Sequence, residues 1–389
     1  MNLVLEIQYL SRVMKDPEYR MVMIASSSFF LFSALLHFPA SGLPPLYSDI
    51  VNVFWFQRPY ILSGLPYVNY VFEYPPICGL ILWLGASASG GNLYIFTLVE
   101  FSILFAFMVF LTHVLYKFIS ALGIDHNRQL LFVAFAPSIL IYGAYNFDIV
   151  QTALVTFALY LFIVRKRFYY SAVVLGLAIA TKTAPVLLVP IFLQDLKGWE
   201  KRIRYLSLTT VVAFSLNAPF MILNFQNWLG GYEFIRNWGL EDTFLVWIFG
   251  NSSTWTIAKL VSLLLIAFAS ISVYFVGAKK PLIVRAFLLS GLFILFSYIS
   301  TPQMNIDLLP FFALVPIVPY SVFIPFEIFD AGIIITWFSF QFSNLPGIPQ
   351  SFALVRQVYL ALILVLVANN KTPTLEQSKQ SKEVSVKHE

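Results

Sequence analysis

The stretch NFDIVQTALVTFALYLFIVRKRFYYSAVVLGLAIATKTAPVLLVPIFL, residues 146–193, decides how the chain is built. It is apolar almost throughout, with three interruptions: Asp148 at its start, the run Arg165-Lys166-Arg167, and Lys182 between two threonines. Apolar runs of this length predict helices rather than strands, and the basic run predicts a turn on the cytoplasmic side of a membrane. A second basic cluster, Lys197, Lys201, Arg202 and Arg204, follows at once. Residues 168–196 therefore lie between two cytoplasmic loops. They are expected to form a hairpin of two short helices turning near Thr181-Lys182-Thr183, with Pro185 supporting the break.

The rest of the chain agrees with that start. Hydrophobic residues make up 59% of it and charged residues 11%, with a mean hydropathy of +0.80. A soluble globular domain is excluded, and the long apolar runs do not match the short alternating strands of a membrane barrel. The expected class is an all-α polytopic membrane protein of about twelve transmembrane helices. The expected spans are 21–39, 93–118, 130–145, 149–164, 168–181, 184–196, 205–222, 257–277, 283–300, 305–321, 325–342 and 352–368. Several are shorter than the roughly 20 residues of a straight crossing, which implies tilt, kinks or partial insertion.

With a cytoplasmic N-terminus and alternating spans, nineteen of the twenty-four Lys and Arg fall inside. That bias accounts for the net charge of +5, so no nucleic-acid partner is expected. Both termini are then cytoplasmic, in a prokaryotic plasma membrane or the endoplasmic reticulum. Residues 1–368 are expected to form one domain, and the polar segment 369–389 a disordered tail. The single Cys78 rules out a disulfide framework within the chain.

The same topology leaves residues 40–92 as one long external loop, and 223–256 as a second. In the first, the short apolar stretch after Pro75-Pro76 cannot also cross and is expected to be a juxtamembrane helix. Loops of this length in compact bundles usually carry function. The ionisable and polar groups outside the basic loops collect on the outer face: Asp49, Arg58, Glu73, Asp148, Lys182, Arg236, Glu241, Asp242, Gln303, Asn305 and Asp307. Each has a second reading. Ser48 or Asp49 suits the cap of an interfacial helix from about Ile50 to Gln57. The aromatic run 54–74 suits a headgroup belt. Asp148 and Lys182 suit a structural pair, and Arg236 with Glu241 and Asp242 suits solvated loop charges.

An external loop with an early Asp and then EYPP (73–76) resembles the GT-C superfamily of membrane glycosyltransferases. So does the order within 146–193, and STPQMNIDLLPFFALVP (300–316) is similar to a proline-glutamine segment of these enzymes. Within the superfamily the chain looks most like the polyprenyl-phosphate-mannose-dependent α-mannosyltransferases of glycosyltransferase family 87, of the mycobacterial phosphatidylinositol-mannoside type. The resemblance covers roughly residues 20 to 320 as an order of loose motifs. It implies a GT-C-like bundle and transfer of a hexose, mannose being expected, from a polyprenyl monophosphate to a lipid or glycan acceptor. Asp49 matches the family's catalytic base, and Arg58, Glu73, Tyr74, Asp148, Lys182, Arg236, Gln303 and Asn305 are the expected substrate-binding residues. YSDIVN carries a single acid where some relatives have Asp-x-Asp, so a divalent metal at Asp49 is doubtful, and no cofactor is expected beyond the donor substrate. A monomer is expected. A transporter or flippase of lipid-linked sugars is the alternative, weakened by the lack of a two-half repeat.

Overall fold

The computed structural model describes residues 15–42, 44–337 and 346–370. Expectations for Arg12, for the end of the span 325–342 and for the tail beyond residue 370 lie outside the described residues. Within them the chain is all-helical, with two isolated backbone bridges and no strand. Among the described residues six helices are long and apolar enough to cross a membrane. They are α1 (Pro17–His37), α3 (Leu93–Leu122), α7 (Trp199–Leu223), α9 (Trp255–Phe275, extended by flanking turns), α11 (Tyr320–Trp337) and α12 (Ile348–Asn369). The chain is therefore a helical membrane protein.

The other six expected spans are shorter or interrupted. They include α4 (Asp148–Ile163), α5 (Phe168–Ile179), α6 (Val189–Asp195) and α10 (Leu282–Phe296). At 1.5 Å per residue these fall short of a hydrocarbon core of about 30 Å. The remaining two break where proline intervenes. One runs from Asn127 through a wide turn and restarts at Pro137, ending at Tyr142; the other is a tight-wound Pro302–Leu308 followed by Leu309–Leu314. The hairpin expected at 168–196 is present, with α5 ending at Ile179 and the chain re-entering helix at Ala184. The apolar stretch after Pro75-Pro76 forms the 14-residue α2 (Pro76–Ser89), and an amphipathic α8 (Phe225–Asn237) fills much of the second expected loop.

Helix ends follow local chemistry. Asp16 caps α1 by accepting from the Glu18 N–H at 3.0 Å, with Pro17 at the first turn. Asn92 caps α3, which stops at Gly123 in the left-handed conformation (φ 67°). The centre of the bundle is α4: of its residues only Phe157 and Ile163 are not buried. It packs on α3, on α5 and on Pro302–Leu308. A helix apolar on every side is stable only when surrounded. By contrast α7 buries only Tyr205, Thr209 and Phe220, and leaves Phe214 and Ile222 outside, as a lipid-facing helix would.

Candidate functional site

The site begins at Ser48, whose extended backbone and Oγ, accepting from the Val51 N–H at 3.2 Å, start the helix Asp49–Gln57. Ser48 therefore supplies the cap and leaves the Asp49 carboxylate free of the helix end. The helix is wound with the wide i→i+5 spacing, which is rare and recurs at functional sites. Asp49 Oδ2 accepts from the Asn146 side-chain amide at 2.7 Å, and the same amide donates to the Tyr74 hydroxyl at 2.7 Å. Asn146, in the turn before α4, thus fastens the first loop to the start of that helix.

Two ion pairs lie beside this arrangement. Arg58 pairs with Glu73, its guanidinium lying 5.4 Å from the Phe234 ring of α8 and 5.7 Å from Phe54. Lys182 pairs with the fully buried Asp148 and sits 5.5 Å from the Tyr74 ring. Behind them Gln151 and Thr152 each donate to Asp307 at 2.6 Å. The α8 helix lies over the first loop, Asn224 and Asn227 both donating to the Val68 carbonyl. Its Gly231 is so close to the Phe72 carbonyl that a Cβ would sit 2.2 Å from the oxygen, so only glycine permits that approach.

These elements enclose a cavity of about 510 Å³. Its polar wall holds Asp49, Arg58, Glu73, Tyr74, Lys182, Gln303, Asp307 and Glu241. Its apolar wall comes from α9 (Leu263, Ile266), α10 (Phe293, Ile294) and α11 (Ile333, Ile334, Trp337). Gln303 is 6% exposed and its amide oxygen has no partner among the described residues, an uncommon state for a buried polar atom. Asp49 is half-buried and lines the cavity. Burial pushes its carboxyl up to about 7, with Glu241, Glu73 and Asp148 adding negative charge and Tyr145 opposing through a hydrogen bond. Burial also raises Glu241 and Asp242 above the usual carboxylate range.

Of the residues singled out from the sequence, Asp49, Arg58, Glu73, Tyr74, Lys182 and Gln303 line this one cavity, and Asp148 stands directly behind Lys182. Arg236 does not line it. That side chain is 72% exposed on α8, 3.6 Å from Glu233. Asn305 is fully buried but faces Asp330 of α11 rather than the cavity. Among the described residues the cations that line the cavity are therefore Arg58 and Lys182, not Arg236. Each already has a carboxylate partner.

Sequence reasoning passed over Asn146, Gln151 and a second buried cluster of Glu327, Asp330 and Arg356. Glu327 and Asp330 sit three apart in an apolar run, and Arg356 lies in the next one. Intramembrane charge of that kind was the available signal. No protein-family model matches the chain, and no curated protein matches it either.

Proposed function

We propose that the chain is a GT-C-type membrane glycosyltransferase. In this reading it moves a hexose, with mannose the expected sugar, from a polyprenyl monophosphate to a lipid or glycan acceptor at the extracytoplasmic face. The observation that carries it is a single cavity joining a half-buried carboxylate, two cations and a wall of apolar side chains from α9 to α11. An amphiphile with a polar phosphosugar and an apolar tail suits such a cavity.

Asp49 is the general base. It takes the proton of the acceptor hydroxyl as that oxygen attacks the anomeric carbon, and the carbon–oxygen bond to phosphate breaks. The carrier leaves as a phosphate monoester, taking the bonding electron pair. Direct displacement inverts the anomeric centre, so a β-linked donor gives an α-linked product. A carboxyl with its pKa near 7 is well matched to this work at neutral pH. The departing phosphate develops negative charge beside Lys182 and Arg58, which it shares with Asp148 and Glu73.

The test is to incubate the purified protein with a panel of polyprenyl-phosphate sugars and membrane lipid extracts. Sugar transfer by the wild type and its loss in Asp49→Asn are the expected results. Turnover in Asp49→Asn close to that of the wild type would sink the base assignment, and no transfer from any donor would sink the enzyme.

A further inference from the structure

The loop between α8 and α9 is held more tightly than a solvated connection needs to be. Glu241 N–H donates to the Tyr298 carbonyl at 3.0 Å and Ser300 N–H to the Glu241 carbonyl at 2.9 Å, a short two-stranded bridge. Arg356, fully buried on α12, fastens both strands from behind, donating to the Asp242 carbonyl at 2.9 Å and the Ser300 carbonyl at 2.7 Å. Gly239 lies so close to Trp255 that a Cβ would stand 2.6 Å from its ring. Asp242 takes a positive φ of 50°, which is uncommon for a residue with a side chain, and its buried Oδ1 has no partner among the described residues. Strain and an unsatisfied carboxylate oxygen are thus tolerated next to Glu241.

What this loop presents is a carboxylate and an indole on the cavity wall. Trp238 Nε1–H donates to Glu241 Oε2 at 2.5 Å, and both residues line the cavity. Glu241 is also the charged group that acts most strongly on Asp49, so the two carboxylates lie near each other in the cavity. A carboxylate there repels phosphate and welcomes hydroxyl donors, while the neighbouring aromatic ring offers a flat apolar face.

We infer that Glu241 is a substrate-contacting, specificity-determining residue that accepts hydrogen bonds from hydroxyl groups of the donor's sugar beside the Trp238 ring. The inference rests on the glycosyltransferase reading above. In it the cavity sorts its ligand by charge: the phosphate goes to Arg58 and Lys182, and the uncharged polyol goes to Glu241.

The experiment compares two probes, citronellyl phosphate and citronellyl phosphomannose, by calorimetric titration of the full-length protein in lipid nanodiscs. The wild type is expected to bind the sugar-bearing probe about tenfold more tightly, as befits hydrogen bonds to a charged acceptor. Glu241→Gln, which can still accept from Trp238, is expected to lose most of that preference without any loss of affinity for the sugarless phosphate. A Glu241→Gln protein that retains the full preference overturns the inference and leaves the proposed function standing. A wild type that binds neither probe, or both equally, overturns the donor reading and the inference with it. Should Glu241→Gln not fold, Glu241→Asp, which withdraws the same charge by one methylene, is measured and read in the same way.

Discussion

Two buried ion pairs invite comparison. Lys182 and Asp148 meet at the cavity, whereas Arg356 and Asp330 meet between α11 and α12 with neither side chain accessible at all. The sealed pair makes the more bonds, although the Arg356 Nε has no partner among the described residues. Arg356 donates to Asp330 at 3.1 Å, to two backbone carbonyls and to the Ser300 hydroxyl at 2.8 Å, while the Tyr142 hydroxyl donates to the Asp330 carbonyl. The cavity pair is sparse. Lys182 keeps 15% of its side chain accessible, and Asp148 Oδ2 has no partner among the described residues. Residue type follows the difference: a planar guanidinium with five donors ties loops together, and a compact ammonium can exchange one anion for another. The more heavily bonded network fixes geometry, while the sparser one, open to the cavity, has capacity left for a ligand. The two clusters are joined through the Asp242–Ser300 region, so the sealed pair holds the wall of the cavity that the open pair faces.

The most severe change expected is on the cavity side. Asp49→Asn preserves the shape and the capacity to receive the Asn146 bond, yet removes the proposed general base. Transfer should fall by about 10²–10⁴-fold with the melting temperature nearly unchanged. An equal loss of folding would move Asp49 to the structural side of the comparison.

Next comes Arg356→Ala, which leaves Asp330 and two carbonyls without their donor in a closed space. Breaking a buried pair in this way costs about 3–5 kcal/mol. It should be read as a large drop in thermal unfolding temperature in detergent, together with loss of the α8–α9 loop's protection from proteolysis. A variant as stable as the wild type would show that the sealed cluster is not what holds the loop.

Lys182→Ala should do less to stability, because Asp148 can take a proton beside the cavity instead of remaining an orphan charge. Donor affinity, not folding, is the quantity expected to suffer, by roughly tenfold. If the order reverses, with folding lost and affinity kept in the protein that survives, the cavity pair is a strut like its sealed counterpart.

How much of this was legible in the sequence depended on which signal a residue carried. The hairpin at 168–196 was legible because basic runs bracket it and Pro185 breaks it, and the helix from Ser48 to Gln57 because a serine cap precedes an apolar run. The six long helices were legible from hydropathy alone. What hydropathy could not separate was a long span from a short or broken one. The segments 130–142 and 148–163 are as apolar as the others, yet Pro137 interrupts the first and length stops the second, while 302–314 mixes apolar residues with Pro302, Pro310 and three polar side chains. Those short elements and the turn before α4 carry Gln303 and Asp307, which were singled out, and Gln151 and Asn146, which were not, so the polar surroundings of the site were only partly visible beforehand. Arg236 and Asn305 went astray for a related reason. Helical phase on α8 turns one outward, and the tight winding of Pro302–Leu308 turns the other toward Asp330.

The smallest effect expected is also the most specific to the cavity. With its carboxyl near 7, Asp49 is largely protonated below that pH and ionised above it, so transfer should rise with pH through about 7. Burial holds the proton on most strongly, Glu241 and Glu73 add to it by disfavouring a second negative charge, Asp148 gives a smaller push, and Tyr145 opposes them. Glu241→Gln removes the largest of these charges. The proton then leaves at lower pH, the ionised base is available in more acid solution, and the acidic limb of the rate profile shifts down by less than about one pH unit. Arg356→Lys, acting from behind the wall, should move that limb far less at equal residual stability. A limb that does not move in Glu241→Gln would separate Glu241 from Asp49 electrically and leave the two walls of the cavity independent.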